Sequence, residues 1–298
     1  MDHKPVRSLL TAAPLALLLA GITSAQTSYS PHWGDLTAPD FVKALEQAQH
    51  TCMLPIGIIE KHGPSGPLAT DLINARYATL EAVKQEYALV FPEYFAGQIF
   101  EAKHQPGTIA YSARLQLEML QETTSEMARN GCTKVVIVSG HGGNTNLLSY
   151  FAQTQLDTPK DWVLYVITGE GQGRNASAVP GPSKPGVDGH AGELELSNVM
   201  ATRPDLVHPE RSAQESGADL KRQALPAGVF TPIFWYASYP NHYQGDAAGA
   251  TAARGAASMK ARADAIAAAI RAIKADTTSL RLQTEFFEAS KRPTNTRQ

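Results

Sequence analysis

Short apolar runs alternate with longer stretches of helical spacing along most of the chain. The apolar runs are rich in β-branched residues and end at turn-forming residues, and they predict strands at 53–59, 88–91, 134–139 and 162–168. The longer stretches predict helices at 71–87, 114–130, 144–156, 191–202 and 247–274. Alternation of this kind is typical of crossover units, so we expect an α/β fold with a mostly parallel sheet between helices.

The N terminus has the pattern of an export signal. Lys4 and Arg7 precede an apolar run over 9–22, and small residues follow at 23–25. This pattern predicts a secretory signal peptide over 1–25, although an uncleaved anchor is the alternative. The run is shorter than the roughly 20 apolar residues that a spanning helix needs. We therefore expect a periplasmic or secreted protein with no membrane contact after cleavage.

The rest of the chain has the length of one α/β domain, which we assign to 26–280. The charged residues 281–298 predict a flexible C-terminal tail. A segment rich in glycine, proline, serine and asparagine at 169–189 is long enough to form a pocket wall or a lid. Several aromatic residues and one histidine lie close together at 235–243. We expect them to pack in the core or at a subunit interface, with a pocket wall as the alternative.

The charge balance narrows the class of partner. The formal net charge is −2 and the sequence pI is about 6.5. A nucleic-acid-binding protein needs a basic surface to neutralise phosphates, and no basic stripe is present in this sequence. We expect a small-molecule partner and no nucleic acid.

The cysteines, Cys52 and Cys132, each begin an apolar run. If the two predicted strands are neighbours, both cysteines lie at the same edge of the sheet. An oxidising compartment would allow a disulfide, whereas two buried thiols are the alternative. The sequence leaves both open, because it does not contain the Cα separation that decides between them.

Three potential metal ligands follow the first predicted strand. Glu60 and His62 are two residues apart, so their side chains leave an extended chain on the same side. Asp71 stands at the start of the next predicted helix. Alone, Asp71 could cap that helix and Glu60 could be exposed. Together the three form a mixed carboxylate and imidazole set that suits zinc, manganese or iron(II).

A second motif places His141 between Gly140 and Gly142, directly after the predicted strand at 134–139. Ligand sites of open parallel sheets lie at the carboxyl ends of strands, so His141 can reach the same crevice as Glu60 and His62. A buried structural histidine is one alternative. An anion cradle is another, but the lysine and hydroxyl of a phosphate-binding loop are absent from this motif.

The third motif contains His190, Glu193 and Glu195. On a helix Glu193 and Glu195 stand about 200° apart, so only one of them is expected to face the site. His190 occupies the predicted N-cap and Glu193 the third helical position, which is the spacing of a capping box. This interpretation gives Glu193 a structural role and makes Glu195 the candidate metal ligand.

In this order the motifs resemble the creatininase family, whose members carry GxxExHGPxxPxxTD, GHGGN and HAGxxE segments. The resemblance includes residues 104–109 and 245–255 and covers nearly all of the chain after the signal peptide. It implies a three-layer α/β/α domain, often assembled as a homohexamer, with two divalent metal ions per subunit bridged by an aspartate. Residue by residue, it implies that Asp71 bridges the metals, with Glu60 and His141 on one and His62 and Glu195 on the other.

Some positions differ from the family pattern. Lys61 replaces the more usual glutamine, and Ser65 and Gly66 stand where a histidine and a large apolar residue are common. Gly142 and Gly143 stand where creatininases carry a tyrosine and a ligating glutamate. Creatinine is therefore not the expected substrate, and the second carboxylate ligand is expected at Glu195.

This ligand set predicts hydrolysis. Two divalent ions that share a carboxylate can lower the pKa of a bound water from 15.7 towards about 7. We expect a metal-dependent amidohydrolase that cleaves a C–N bond of a cyclic amide, formamide or small peptide-like substrate, with zinc first and manganese or iron(II) as alternatives. His190 is the candidate general acid for the leaving nitrogen, and a helix cap or a donor to a ligand is its alternative role.

Two other functions are compatible with these residues. A non-catalytic metal-binding or assembly protein of the same fold would keep the ligands without the reaction. A phosphate-ester hydrolase would keep the metals, but it needs a cationic phosphate clamp near the motifs, for which Lys61 is the candidate.

Overall fold

The computed structural model describes residues 1–2, 29–169, 181–183, 186 and 188–295. Nearly all of the predicted signal peptide, and most of the predicted loop at 169–189, therefore lie outside the described residues. The described strands and helices confirm the predicted α/β class.

Within the described part of the chain, four parallel strands form the central sheet in the order β2-β1-β3-β4. They are β1 (Thr51–Ile56), β2 (Leu89–Val90), β3 (Lys134–Ser139) and β4 (Val163–Ile167). The register runs from the pair Thr51 and Lys134 to the pair Ile56 and Ser139. The two central strands are almost entirely buried, as expected for parallel strands covered by helices on both faces.

Helices cover both faces of the sheet. They are α1 (Ala38–Gln47), α2 (Thr70–Gln85), α3 (Ala113–Arg129), α4 (Asn144–Thr154), α5 (Glu193–Met200), α6 (Phe234–Ser238), α7 (Ala252–Ala275) and α8 (Ser279–Ser290). Alternate residues of β1 serve opposite layers: Leu54 packs with α1, α3 and α4, whereas Met53 packs with α2 and α7. The predicted three-layer α/β/α architecture is confirmed.

The cysteines form a disulfide between Cys52 of β1 and Cys132, which lies just before β3. Their Cα atoms are 5.8 Å apart, within the range that a disulfide spans without backbone movement. Both residues are fully buried. The bridge therefore joins the two central strands at their amino ends, opposite the edge that carries the metal-ligand candidates.

The C-terminal segment differs from its prediction. Residues 281–290, expected as part of a flexible tail, belong to α8. Phe287 is buried, and Gln283 Nε2 donates hydrogen bonds to the carbonyls of Lys160 and Trp162. The burial of Phe287 and the contact of Gln283 with a distant loop fix this helix, and neither is visible in the sequence alone.

Close packing between α5 and α7 sets the position of the third motif. A Cβ added at Gly255 of α7 would lie 1.7 Å from the carbonyl oxygen of Ser197 in α5, so only glycine fits there. Thr251 caps α7, since its hydroxyl accepts a hydrogen bond from the Arg254 amide. The helix therefore begins later than predicted. Among the described helices, none has both the length and the apolar composition required to cross a membrane.

Candidate metal centre

Glycines at the ends of β1 and β3 bring these strands against the first turn of α2. A Cβ at Gly57 would lie 2.3 Å from the Leu72 amide nitrogen, and one at Gly140 would lie 2.5 Å from the Asp71 carbonyl oxygen. Such distances exclude any larger residue without backbone movement. The first turn of α2 therefore lies directly beside both strand ends, and Asp71 reaches the segments that follow them.

One group of side chains comprises Glu60, Asp71 and His141. His141 Nδ1 lies 2.9 Å from Glu60 Oε1 and 3.0 Å from Asp71 Oδ2. Potential ligand atoms of the three residues all lie within 4.8 Å of one another, and all three residues are buried. This is the set that the sequence assigned to one metal.

A second group comprises His62, Asp71 and Glu195. His62 Nε2 lies 3.6 Å from Asp71 Oδ1 and 3.7 Å from Glu195 Oε2. Their potential ligand atoms again lie within 4.8 Å of one another. Asp71 thus presents one carboxylate oxygen to each group, and the structure brings the five predicted ligands together.

Unsatisfied polar atoms test whether these residues fit a metal ion. His62 Nε2 and His141 Nε2 are buried without a hydrogen-bond partner. An unsatisfied buried polar group costs about 1–3 kcal/mol, and more when it is charged, so native structures rarely retain several in one place. A divalent cation bonded to these atoms would remove that cost, and the donor set of carboxylates and imidazoles fits one.

The electrostatics of the centre favour bound positive charge. Burial lowers the pKa of His62, but the nearby carboxylates of Asp71, Glu195 and Glu60 outweigh burial and raise this pKa to about 9. Burial likewise lowers the pKa of His141, and Glu60 and Asp71 outweigh it and raise the pKa well above its ordinary value. The carboxylates thus attract protons to these imidazoles, as they would attract a metal ion.

The capping-box interpretation of the third motif is wrong. The helix α5 begins at Glu193 with Gly192 as its N-cap, so His190 lies outside it. Instead, the carboxylate of Asp188 accepts hydrogen bonds of 3.2 Å from the Leu194 amide. Asp188 is a good acceptor for free amides at a helix start, but its distance along the chain from Leu194 does not match the capping-box spacing.

Glu193 and Glu195 point to different surroundings, as their helical spacing predicted. Glu193 forms an ion pair with the buried Arg254 and accepts hydrogen bonds from Ser183. Glu195 Oε2 accepts a 2.7 Å hydrogen bond from the Ala191 amide and faces His62. Glu193 is therefore structural, through Arg254 rather than through a cap, and Glu195 is the carboxylate at the centre.

His190 lies against the metal-ligand candidates. Its ring centroid is 4.5 Å from that of His62, and its Nδ1 is 3.8 Å from Glu195 Oε2. His190 Nε2 is 2.8 Å from the Lys61 carbonyl oxygen, which can only accept, so Nε2 carries the proton. Burial, the largest influence, lowers the pKa of His190 below its ordinary value. The ring is therefore neutral, with its lone pair on Nδ1.

His242 is a residue of the centre that the sequence did not predict. Its Nε2 lies 2.5 Å from Glu60 Oε2, and its Nδ1 accepts a 2.8 Å hydrogen bond from Trp235 Nε1. Packing in the core or at a subunit interface was the expected role of this aromatic segment, with a pocket wall as the alternative, and Trp235 and His242 line the cavity at the centre. No spacing relates His242 to the three motifs, so only the folded chain reveals it.

A cavity of about 600 Å³ opens onto the centre. The polar residues of its wall include Glu101, His141 and His190. The aromatic residues of its wall are Phe230, Phe234 and Trp235. Gly143 is required there, because a Cβ would lie 2.4 Å from His141 Nε2. Gly142, by contrast, has no atom within 4 Å of such a Cβ. The glycine pair thus leaves room for the imidazole and for a substrate.

Comparison with known proteins identifies the family. The model of the creatininase family, described as creatinine amidohydrolase, matches residues 34–270. The chain belongs to the creatininase family. The resemblance inferred from the three motifs is therefore confirmed, and the described residues include groups of side chains that could hold a divalent metal ion.

Curated relatives of this creatininase-family chain carry two kinds of name. The chain is 32% identical to the mycofactocin precursor peptide peptidase of Mycolicibacterium smegmatis over 161 residues. This alignment covers 52% of this chain and 59% of that protein. The chain is 23% identical to the creatinine amidohydrolase of Pseudomonas putida over 192 residues. This alignment covers 60% of this chain and 74% of that protein. The match thus spans less than two thirds of the length of the mycobacterial peptidase.

Solved creatininase structures share the fold. A creatininase described with Mn has a TM-score of 0.69 and 20% identity, and covers 83% of this chain and 100% of its own. A creatininase mutant described as of Zn-Zn type has a TM-score of 0.69 and 21% identity, and covers 84% of this chain and 100% of its own. At this identity the likeness shows the fold alone.

Proposed function

We propose that the protein hydrolyses a C–N bond of a small amide at a centre of two divalent metal ions. The observation that carries the proposal is the division of the carboxylate of Asp71 between two groups of potential ligands, one with Glu60 and His141 and one with His62 and Glu195. Glu60, His62, Asp71, His141 and Glu195 are the proposed ligands. When bound, the ions polarise a carbonyl and activate water for attack.

Zinc is the first candidate metal, with manganese or iron(II) as alternatives. Carboxylate and imidazole donors accept each of these ions, so the donor set alone does not select one. The descriptions of similar creatininase structures with Mn and with Zn-Zn support zinc and manganese. The mixed donor set argues against calcium and magnesium, which favour oxygen ligands.

His190 is the proposed catalytic proton carrier. Because its Nε2 proton is donated to the Lys61 carbonyl, Nδ1 is free to accept a proton from the attacking water. The same nitrogen then donates that proton to the leaving nitrogen, which is the general-acid role expected from the sequence. The lowered pKa of this buried imidazole favours release of the proton in the second step.

The cavity supports a small, peptide-like substrate with an apolar group beside the scissile bond. Phe230 and Phe234 are exposed at its wall, and Trp235 lies deeper, next to His190 and His242. Aromatic side chains of this kind bind apolar or ring-containing groups. A cyclic amide or formamide with such a group would fit the same wall. The names of the similar mycobacterial peptidases and of the creatinine amidohydrolase support a C–N bond as the target.

Two alternative functions are less well supported. A non-catalytic metal-binding or assembly protein would not require an accessible cavity beside the metal ligands or a neutral histidine against them. A phosphate-ester hydrolase would need Lys61 as a cationic clamp, but Lys61 Nζ lies 2.6 Å from the carboxylate of Glu215, which neutralises its charge.

Export and assembly complete the proposal. A periplasmic or secreted location is supported by the pattern of residues 1–25 and by the disulfide between Cys52 and Cys132, which persists in oxidising compartments. A homo-oligomer is supported by the exposed large apolar residues of one segment, Leu220, Leu225, Val229, Phe230, Ile233, Phe234 and Tyr236. The domain boundary predicted at 280 falls inside α8, so we extend the proposed single domain from 26 to 290.

Elemental analysis of the purified protein tests the proposal. We expect about two divalent ions per chain, and loss of at least one ion in Asp71→Ala and in Glu195→Ala. Glu118→Ala, which removes an exposed carboxylate of α3, is the control and should keep the full content. A screen of small amides and dipeptides then identifies the substrate class. A wild-type protein that stays metal-free after zinc, manganese and iron(II) are added contradicts the proposal.

A further inference from the structure

His242 lies between an indole and a carboxylate at the edge of the metal centre. Trp235 Nε1 is 2.8 Å from His242 Nδ1, and His242 Nε2 is 2.5 Å from Glu60 Oε2. His242 is 2% exposed and Glu60 is fully buried. Water therefore does not compete for these hydrogen bonds, and their geometry is set by the protein alone.

The donor chemistry fixes the tautomer of His242. An indole nitrogen can only donate a hydrogen bond, so Nδ1 of His242 must accept with its lone pair. The single proton of the neutral ring then resides on Nε2 and is donated to Glu60. The hydrogen bonds thus run in one direction, from Trp235 through His242 to Glu60.

The direction of these hydrogen bonds gives the two carboxylate oxygens of Glu60 different roles. Oε2 receives the proton of His242, whereas Oε1 faces the other metal-ligand candidates and lies 2.9 Å from His141 Nδ1. A carboxylate with one oxygen satisfied by a buried donor retains the other for a metal ion. The arrangement also keeps Glu60 from turning both oxygens towards one cation.

The backbone around His242 is strained in a way that aims the ring at the centre. His242 has a φ of +51°, a conformation that non-glycine residues rarely adopt. Hydrogen bonds hold the backbone on either side of it, from the His242 amide to the Tyr239 carbonyl and from the Gln244 amide to the His190 carbonyl. These backbone hydrogen bonds hold His242 in its strained conformation, as surrounding contacts do for strained residues at functional sites.

We propose that His242 is a positioning residue that holds Glu60 as a one-oxygen metal ligand, and that Trp235 holds His242 in the tautomer this requires. The inference rests on the proposed metal centre. Partners that orient a metal ligand typically account for about 10–100-fold in metal affinity. Neither residue belongs to the three sequence motifs, so this support comes from the segment that follows them.

Metal affinity, measured by competition of zinc with a chromogenic chelator, tests the proposal with matched variants. His242→Phe keeps the ring shape and removes both nitrogens, and we expect zinc affinity to fall about 10–100-fold. His242→Gln restores a donor near Nε2, and its affinity should return close to wild type. His208→Phe, at a histidine whose side chain is half-buried and pairs with Glu210, is the control and should leave affinity unchanged. Thermal unfolding of each metal-free variant verifies the fold.

Nitrogen-15 NMR of the histidine rings tests the tautomer independently of metal affinity. The wild type should show His242 protonated at Nε2 and unprotonated at Nδ1. Trp235→Phe removes only the indole donor, so the ring should then populate both tautomers and zinc affinity should fall. This variant also provides the test if His242→Phe does not fold.

The outcomes separate this inference from the proposed function. Wild-type zinc affinity in His242→Phe, equal losses in the Phe and Gln variants, or an Nδ1-protonated ring in the wild type would each overturn the positioning role while leaving the metal centre intact. A wild type without affinity for zinc, manganese or iron(II) would instead contradict the proposed function, and this inference with it.

Discussion

Gly140 lies so close to Asp71 that a Cβ at position 140 would be 2.5 Å from the Asp71 carbonyl oxygen. The end of β3 and the start of α2 can approach in this way only because residue 140 has no side chain. That approach brings His141 within reach of Asp71, so a residue that binds nothing controls the geometry of the centre.

Gly140→Ala should therefore damage the centre as well as the fold. Overpacking of this kind costs about 1–3 kcal/mol, and we expect that decrease in the free energy of unfolding together with loss of bound metal. Denaturant unfolding and elemental analysis measure the two effects. Gly142→Ala is the matched control, because nothing lies within 4 Å of a Cβ there. Equal behaviour of the two variants would show that the contact at Gly140 is unimportant.

The two glutamates of α5 should have separable effects. Glu193→Gln removes the ion pair between Glu193 and the buried Arg254. It should lower the free energy of unfolding by about 1–3 kcal/mol and leave the metal content unchanged. Glu195→Gln should lose about one metal ion per chain, with a change in unfolding free energy of the metal-free protein below about 1 kcal/mol. Metal loss in Glu193→Gln alone would reverse the assignment of the two carboxylates.

The disulfide should contribute strongly to stability. It closes a loop between residues separated by 80 positions, and removal of a disulfide typically costs about 2–5 kcal/mol. We expect the Cys52→Ala, Cys132→Ala double variant to have a lower Tm than the wild type, and thiol titration of the unreduced wild type to find no free thiol. One free thiol or more per chain would show that the bridge does not form in solution.

The start of α8 should loosen at acid pH. Hydrogen bonds from the Ser279 hydroxyl and from the amides of Thr278 and Ser279 hold the pKa of Asp276 well below its usual range. A depressed carboxylate pKa contributes stability above the unfolded value, about 3.9, and this contribution disappears as pH falls towards the folded value.

Hydrogen exchange of the α8 amides measures this effect. Protection of these amides should decrease below about pH 4 in the wild type after correction for intrinsic exchange rates. Asp276→Asn, which carries no titrating group there, should show a weaker pH dependence over the same interval. Identical profiles for the two proteins would exclude Asp276 as the origin of the acid sensitivity.

Local patterns were sufficient for the central layers and for most of the candidate centre. The apolar runs of β1 and β3 predicted buried parallel strands because each face of such a strand must be covered by helices. Glu60, His62 and Asp71 lie close in sequence, and His141 follows a strand, so the rule that strand ends share an edge places them together. Helical geometry predicted that only one of Glu193 and Glu195 faces the site. The capping-box spacing that pointed to Glu195 was wrong, because Glu193 pairs with Arg254 instead.

The tertiary structure decided what depends on contacts between distant segments. Asp188, and not His190, accepts the hydrogen bond at the start of α5. Phe287 and Gln283 hold α8 against the rest of the protein, where the sequence predicted a flexible tail. His242 reached Glu60 although 182 positions separate them. The sequence by itself predicted the sheet, the residue types of the candidate centre and the family, because these follow from short-range periodicity and from the order of the motifs. Only folding determined the surroundings of each ligand, because a hydrogen bond depends on spatial distance and orientation, which separation along the chain does not specify.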